Sequence, residues 1–343
     1  MNSHDFHELV TSPTYSFLFD NEHLKDRLCF VCLSGSHAYG TDVEGSDVDI
    51  RGCALNSPSD ILGLSNFEQV VDNNTDTTVF AFNKLVRLLA QCNPNVIEML
   101  GCRVDHYYFP APDAAGDAGT QLIAHRKMFL SQRAAYTFGG YAFSQLRRLE
   151  NALARDKLAQ PKKEEHIKNS IEKVARNYNN EGRTNPVSYS LRLADAVHED
   201  FEKETFITMN LEDYPVRDLK ALINDVSNVI RDYAENLHGR NRKKDDLRLN
   251  KHAMHMIRLY LMCIDILEKE EIITYRADDR PLLLAIRAGK FQHEDGTFDS
   301  SFFDLVQQLS DKMEYAKRNT SLPKSPDMKK IEEFVMDVNR RSI

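Results

Sequence analysis

The stretch from residue 28 to residue 55 constrains the fold of this chain more than any other. Leu28 to Leu33 is apolar at nearly every position, as expected of a strand buried on both faces. Ser34-Gly35-Ser36 breaks it, and glycine permits a sharp turn and a close approach of ligand to backbone. His37 to Tyr39 can open a short helix, whose first N–H groups suit a phosphate. Asp47 and Asp49 follow in a second apolar strand. Positions i and i+2 of a strand share a face, so both carboxylates point the same way. Two carboxylates beside a phosphate-binding turn make a site for a hard divalent cation, Mg²⁺ or Mn²⁺.

Gly35-Ser36 after one apolar strand and Asp47-x-Asp49 in the next resemble the signature of the DNA polymerase β-like nucleotidyltransferase superfamily. Three later segments sharpen the likeness: Asn93 to Leu100 (AsnProAsnValIleGluMetLeu), Lys251 to Leu259 (LysHisAlaMetHisMetIleArgLeu) and Ala285 to Gly289 (AlaIleArgAlaGly). They are similar to the nucleotidyltransferases associated with RNA repair and RNA ligase operons, also found in phages. The likeness spans residues 28–290. It implies an α+β protein, with an N-terminal polymerase β-like catalytic domain built on a mixed sheet (1–115) and a mostly helical nucleotide- and acceptor-binding domain (116–343). The implied activity is metal-dependent transfer of a nucleotide from an NTP to an acceptor hydroxyl, such as the 3′ end of a tRNA-like RNA.

The family also implies a third carboxylate from a later strand, because two metal ions clamp such a displacement. Asp76, opening an expected strand at 77–82, is the first choice, and Asp72 across the AsnAsnThr turn is the alternative. Asp47 and Asp49 would hold the metal on the triphosphate. Asp49 and Asp76 would share the second, with Asp76 placed to take the acceptor's proton. Ser36 and the backbone near Gly35 would hold the β- and γ-phosphates. Arg51 shares the face of Asp49 and either contacts phosphate or balances the carboxylates.

Composition limits the rest. With 343 residues and 42% hydrophobic residues the chain can build two domains. A formal net charge of −8 argues against a general nucleic-acid coat, though not against a local basic patch. The six cysteines, Cys29, Cys32, Cys53, Cys92, Cys102 and Cys263, are scattered. Cys29 and Cys32 form a CxxC within a strand, where they point to opposite faces, so buried free thiols are expected. That pattern suits a reducing cytoplasm. No signal peptide or membrane span is expected.

Further along, the pattern predicts a hairpin of strands at 67–72 and 76–82, a helix from Asn83 to about 93, and a linker at 105–119. Helices are then expected at 120–156 (broken near Gly139-Gly140), 162–180, 188–205, 215–237, 249–271, 281–289, 300–318 and 326–341. On the segment 249–271, Lys251, His255 and Arg258 recur at i, i+4 and i+7 and share one face of a largely apolar helix. Cations there need a partner, either a triphosphate or structural salt bridges. Arg287 is expected to face the same cleft. The run Gly239 to Lys244, with Arg147, Arg148, Lys162, Lys163 and Lys168, suits an RNA backbone, although Asp245 and Asp246 follow it directly, and a solvated loop reads equally well from the residues. Nucleotidylation of a protein or small molecule, and a non-catalytic nucleotide-binding regulator, are the competing functional readings. Oligomeric state and base preference are not written in the sequence.

Overall fold

The computed structural model describes residues 3–110, 114–157, 159–177, 188–198, 202–211, 214–233 and 246–343. Two short helices, α1 (Ser3–Val10) and α2 (Phe17–Asp20), precede β1 (Leu28–Ser34). Every residue of β1 is buried, in keeping with its unbroken apolar run. The chain turns through α3 (Gly35–Tyr39) and returns antiparallel as β2 (Asp49–Ala54). After α4 (Pro58–Leu62), β3 (Gln69–Asp72) and β4 (Thr77–Ala81) form the expected hairpin, and β4 runs parallel to β2. Next come α5 (Phe82–Ala90), α6 (Pro94–Ile97), a 3₁₀ turn at Glu98–Gly101 and the two-residue β5 (Tyr107–Tyr108) on the far side of β1. The sheet order is β3-β4-β2-β1-β5, a mixed sheet as expected.

Alternation along the strands gives the sheet two unlike faces. Phe6, Val10, Leu18 and Leu24 from the opening segment join Val31, Leu33, Ile50 and Val79 in one core. Asp49 and Arg51 of β2, and Thr78 and Phe80 of β4, point the other way and stay half-exposed. The open face is therefore the one that carries the polar signature.

The remainder is mostly helical: α7 (Ala114–Ala124), α8 (Arg133–Lys157), α9 (Gln160–Asn177), α10 (Val216–Tyr233), α11 (Asp246–Lys269), α12 (Arg280–Arg287), α13 (Ser300–Asn319) and α14 (Met328–Ser342). The expected helix at 188–205 is corrected to a hairpin of β6 (Ser188–Asp195) and β7 (Lys203–Asn210), paired antiparallel. The alternation of Tyr189, Leu191 and Leu193 with Ser190 and Arg192 is period two, and β-branched Thr205, Ile207 and Thr208 favour strand. The expected linker at 105–119 holds β5 and the first turns of α7. The expected break at Gly139-Gly140 does not occur either, since α8 runs through it. Gly139 instead makes room for a neighbour, because a Cβ there would lie 2.9 Å from the Met313 Cε.

Packing divides the chain into two compact units, one of Met1–Ser144, Ala253–Ala288 and Ser300–Ile343, the other of Gln145–His252 and Gly289–Asp299. The first unit contains the five-stranded sheet together with chain from beyond residue 250, so these units cut the sequence elsewhere than at 115/116. The second contains α9, the β6–β7 hairpin and α10, with Ala175 and Leu222 at the centre of a small apolar cluster that Tyr189, Met209 and Val226 complete. All six cysteines are free. Burial pushes the Cys92 thiol up to about 12 and Cys53 well above its ordinary value, which leaves them protonated and inert. Among the described residues no helix is long and apolar enough to cross a membrane.

Candidate active site

The turn between β1 and α3 is shaped by a glycine with no substitute. Gly35 has φ +59°, and a Cβ built on it would fall 1.7 Å from Oδ2 of Asp49. The Asp49 carboxylate therefore sits directly over the backbone of the turn, a position that any side chain at residue 35 would take. Register explains why it is there: Ser34 of β1 pairs with Asp49 of β2. The helix that follows ends at Gly40, φ +73°, whose N–H reaches the carbonyls of Ser36 and His37, and the Thr41 N–H also donates to Ser36 O at 2.9 Å. The Ser36 carbonyl thus accepts the two N–H groups that close the end of this short helix.

Asp47 precedes β2 rather than lying within it, and it is exposed. Between the helix and Asp47 the chain has no regular structure. Ser46 N–H donates to Val43 O, and Val43 N–H to Ser46 Oγ, both at 2.9 Å. The His37 imidazole lies against this loop, with Nε2 3.4 Å from Ser46 O and Nδ1 3.6 Å from an Asp42 carboxylate oxygen.

The parallel pairing of β2 with β4 decides which later carboxylate stands beside Asp49. Ile50 pairs with Thr77, so Asp76 takes the place next to Asp49 at the head of the neighbouring strand, and its carbonyl accepts the Ile50 N–H at 3.2 Å. Arg51 donates to the same carbonyl at 2.9 Å and lies 3.6 Å from Asp76 Oδ1. Of the two readings of Arg51, charge balance is the one with a visible contact. Asp76 has φ +45°, an uncommon conformation that Asp tolerates better than most residues, and its side chain is 63% exposed. Asp72 is placed otherwise. It pairs with Thr77, on the buried side of the sheet, and its carboxylate accepts the Thr75 N–H and hydroxyl at 3.0 and 2.7 Å. It closes its own turn.

A cleft of about 410 Å³ opens on this face. Asp49 and Arg51 of β2 and Thr78 and Phe80 of β4 line it, with Gly35, Gln69, Tyr39, Asn95 and Glu98 completing the lining. Asp47 and Asp76 lie outside this lining. Among the described residues no three His, Cys, Asp or Glu side chains converge into a closed metal-ligand set. The donors nonetheless suit a hard dication. All are carboxylate oxygens, Asp49 and Asp76 each stand one residue before the paired Ile50 and Thr77, and the glycine leaves room for the Asp49 carboxylate over the turn.

The cations of α11 divide. Arg258 is only 1% exposed and donates to Glu98 Oε2 at 3.0 Å. Its guanidinium lies 3.5 Å from the centre of the Tyr39 ring and 3.0 Å from His255 Nδ1. The Tyr39 hydroxyl donates to the other Glu98 oxygen at 2.7 Å. Burial holds that hydroxyl well above its ordinary pKa, Arg258 opposes this, and the Glu98 carboxylate adds to it. Arg258 therefore has a structural ion pair, the second of the two partners its sequence position allows. His255 is half-buried, edge-on to Tyr141. Lys251 is exposed and belongs to the other compact unit. Glu98 and Tyr39 were not singled out from sequence, although a lone carboxylate inside ValIleGluMetLeu signals a buried partner as plainly as Arg258 does on its apolar helix. The basic run 239–244 lies outside the described residues. Lys162 is exposed and Lys168 pairs with Glu172 at 3.4 Å.

Comparison with curated proteins found no match, and comparison with solved structures found none. A family model does match, over residues 18–337. It covers the sheet, the Gly-Ser turn, the Asp pair and the buried Glu98–Arg258 bridge alike, and on that evidence the chain belongs to RlaP, the RNA repair pathway DNA polymerase beta family.

Proposed function

We propose that this protein transfers a nucleotide from an NTP to an RNA 3′-hydroxyl, with Asp47, Asp49 and Asp76 as its catalytic carboxylates. Family membership suggests polymerase β-like nucleotidyltransferase activity, and the family's description names an RNA repair pathway, which favours RNA as acceptor. The observation that carries the reading is the ladder register that sets Asp49 beside Asp76 on the open sheet face, under a turn where only glycine leaves room for the Asp49 carboxylate.

Asp47, Asp49 and Asp76 would hold Mg²⁺ or Mn²⁺. When bound, the ions neutralise charge on the phosphates and lower the pKa of the attacking hydroxyl. The chain's own groups do the rest. Ser36 and the backbone at Gly35 orient the β- and γ-phosphates. Asp76, exposed at the head of β4, accepts the proton of the acceptor hydroxyl. Arg51 steadies the Asp76 main chain, and the cleft lined by Thr78 and Phe80 receives the nucleoside. His255 and Arg258 support that cleft through Glu98 and Tyr39, while the exposed Lys162 and Lys251 offer charge to an RNA backbone.

The test is incubation of the full chain with each α-labelled NTP, Mg²⁺ or Mn²⁺, and total RNA including tRNA. Label on RNA, absent when Asp47→Ala/Asp49→Ala replaces the wild type, is the expected result. Label on protein alone would replace RNA by a protein acceptor. NTP binding with no label anywhere would favour a regulator.

A further inference from the structure

The loop that joins the Gly-Ser turn to the Asp pair is held from a part of the chain more than two hundred residues away. The Arg276 N–H donates to Tyr39 O at 3.1 Å. Arg280 Nε donates to Gly40 O at 2.6 Å. Arg287 donates to Thr41 O, and its other amino group lies 3.3 Å from Ser46 Oγ. The Tyr275 ring packs on Gly40 so closely that a Cβ there would come within 2.5 Å of it. Arg276 is itself pinned by Asp265 and Asp279, so the segment is stiff where it meets the loop.

Charge makes these contacts unusual. Arg276 has carboxylate partners, whereas Arg280 and Arg287 have none among the described residues. They recur at i and i+7 on α12, one face two turns apart, and both spend their donors on main-chain carbonyls. A charged donor on a carbonyl is stronger than a neutral one. The tip of the loop, Val43 to Gly45, is exposed, and apart from the Val43–Ser46 pair the loop's other contacts are with His37 and Ser36 of the preceding helix.

We propose that Arg280 and Arg287 are positioning residues for nucleotidyl transfer: by fixing the carbonyls of Gly40 and Thr41 and the Ser46 hydroxyl, they set Asp47 and Asp49 in place relative to the Gly35–Ser36 turn. The catalytic consequence rests on the function proposed above, whereas the brace itself does not. Neither arginine touches substrate in this role. A displacement of the Asp pair by a fraction of an ångström is enough to slow an in-line reaction strongly.

The experiment compares Arg280→Ala, Arg287→Ala, Arg280→Lys and Arg287→Lys in the full chain by two readouts. Hydrogen exchange over residues 35–50 reports the loop, and steady-state transfer from α-labelled NTP to total RNA reports the chemistry. The alanine variants are expected to speed exchange of the loop amides by about ten-fold. They should also lower kcat by on the order of 10²-fold while the KM for NTP stays within roughly two-fold. Lysine, which keeps a charged donor, should recover part of both losses. If an alanine variant does not fold, the lysine variants and Ser46→Ala carry the test. Unchanged exchange overturns the brace. A raised KM with unchanged kcat overturns the positioning role and puts the guanidinium on the triphosphate. Asp49→Ala separates the two claims, since it should abolish transfer and leave loop exchange as in the wild type. Should the wild type transfer nothing, the exchange readout still decides the brace while the proposed function fails.

Discussion

Gly35 and Glu98 both line the cleft, and each fits a charged side chain into place, Asp49 against Gly35 and Arg258 against Glu98. Gly35→Ala faces both a left-handed backbone, at about 1 kcal/mol, and a Cβ inside the Asp49 carboxylate. It should cost transfer far more than stability, and thermal unfolding run beside a transfer assay would show that imbalance. Glu98→Ala acts the other way. It strands the Arg258 guanidinium in a buried place and should cost roughly 3–5 kcal/mol by urea unfolding. A Glu98→Leu/Arg258→Met pair should lose less than the single change, because no uncompensated charge is left. The Gly-Ser turn and the Asp pair could be read directly because their chemistry is local in sequence. The Glu98–Arg258 bridge joins residues 160 positions apart. Each half announces a buried charge, but nothing in a single sequence says that the two halves meet.

At the scale of elements, α4 begins with a reciprocal cap. Ser57 Oγ accepts the Asp60 N–H, while the Asp60 carboxylate accepts the Ser57 N–H and hydroxyl. Burial alone would raise the Asp60 carboxyl, but the bonds from Ser57, with those from Ser65 and the Phe67 N–H, outweigh it and hold the pKa at about 2, below its ordinary 3.8. A lowered folded-state pKa contributes stability that is present above the ordinary value and lost as pH falls through the folded one. Asp60→Asn should therefore flatten the fall in urea midpoint between about pH 4 and pH 2, while Ser57→Ala should cost about 1 kcal/mol at neutral pH. Strand and helix periods were legible for β1 to β4 and for the long helices. They failed at 188–205, where helix-compatible Leu and Ala at loose spacing hide a period-two pattern that pairing with β7 brings out. They failed again at Gly139-Gly140, where glycine serves packing against Met313 and no turn is needed.

At the scale of the molecule, the sheet unit is discontinuous in sequence: residues 253–288 and 300–343 belong with residues 1–144. Residues 253–288 supply the Glu98 partner and the brace on loop 39–46. A fragment ending at residue 144 should therefore lack cooperative unfolding by circular dichroism, although it carries the whole sheet and all three carboxylates. A sequence read from one end to the other divides sheet from helices near residue 115, because composition changes there, and long-range closure of this kind leaves no compositional mark. In the proposed function Asp47, Asp49 and Asp76, and not Asp72, carry nucleotidyl transfer. The most direct measurement is metal-dependent release of pyrophosphate from NTP in the presence of total RNA, by the wild type and by Asp47→Ala, Asp49→Ala, Asp72→Ala and Asp76→Ala. The wild type and Asp72→Ala should release it at comparable rates, and the other three should fall by on the order of 10³-fold or more. Full activity in Asp49→Ala, or a collapse in Asp72→Ala with Asp76→Ala intact, would contradict that assignment.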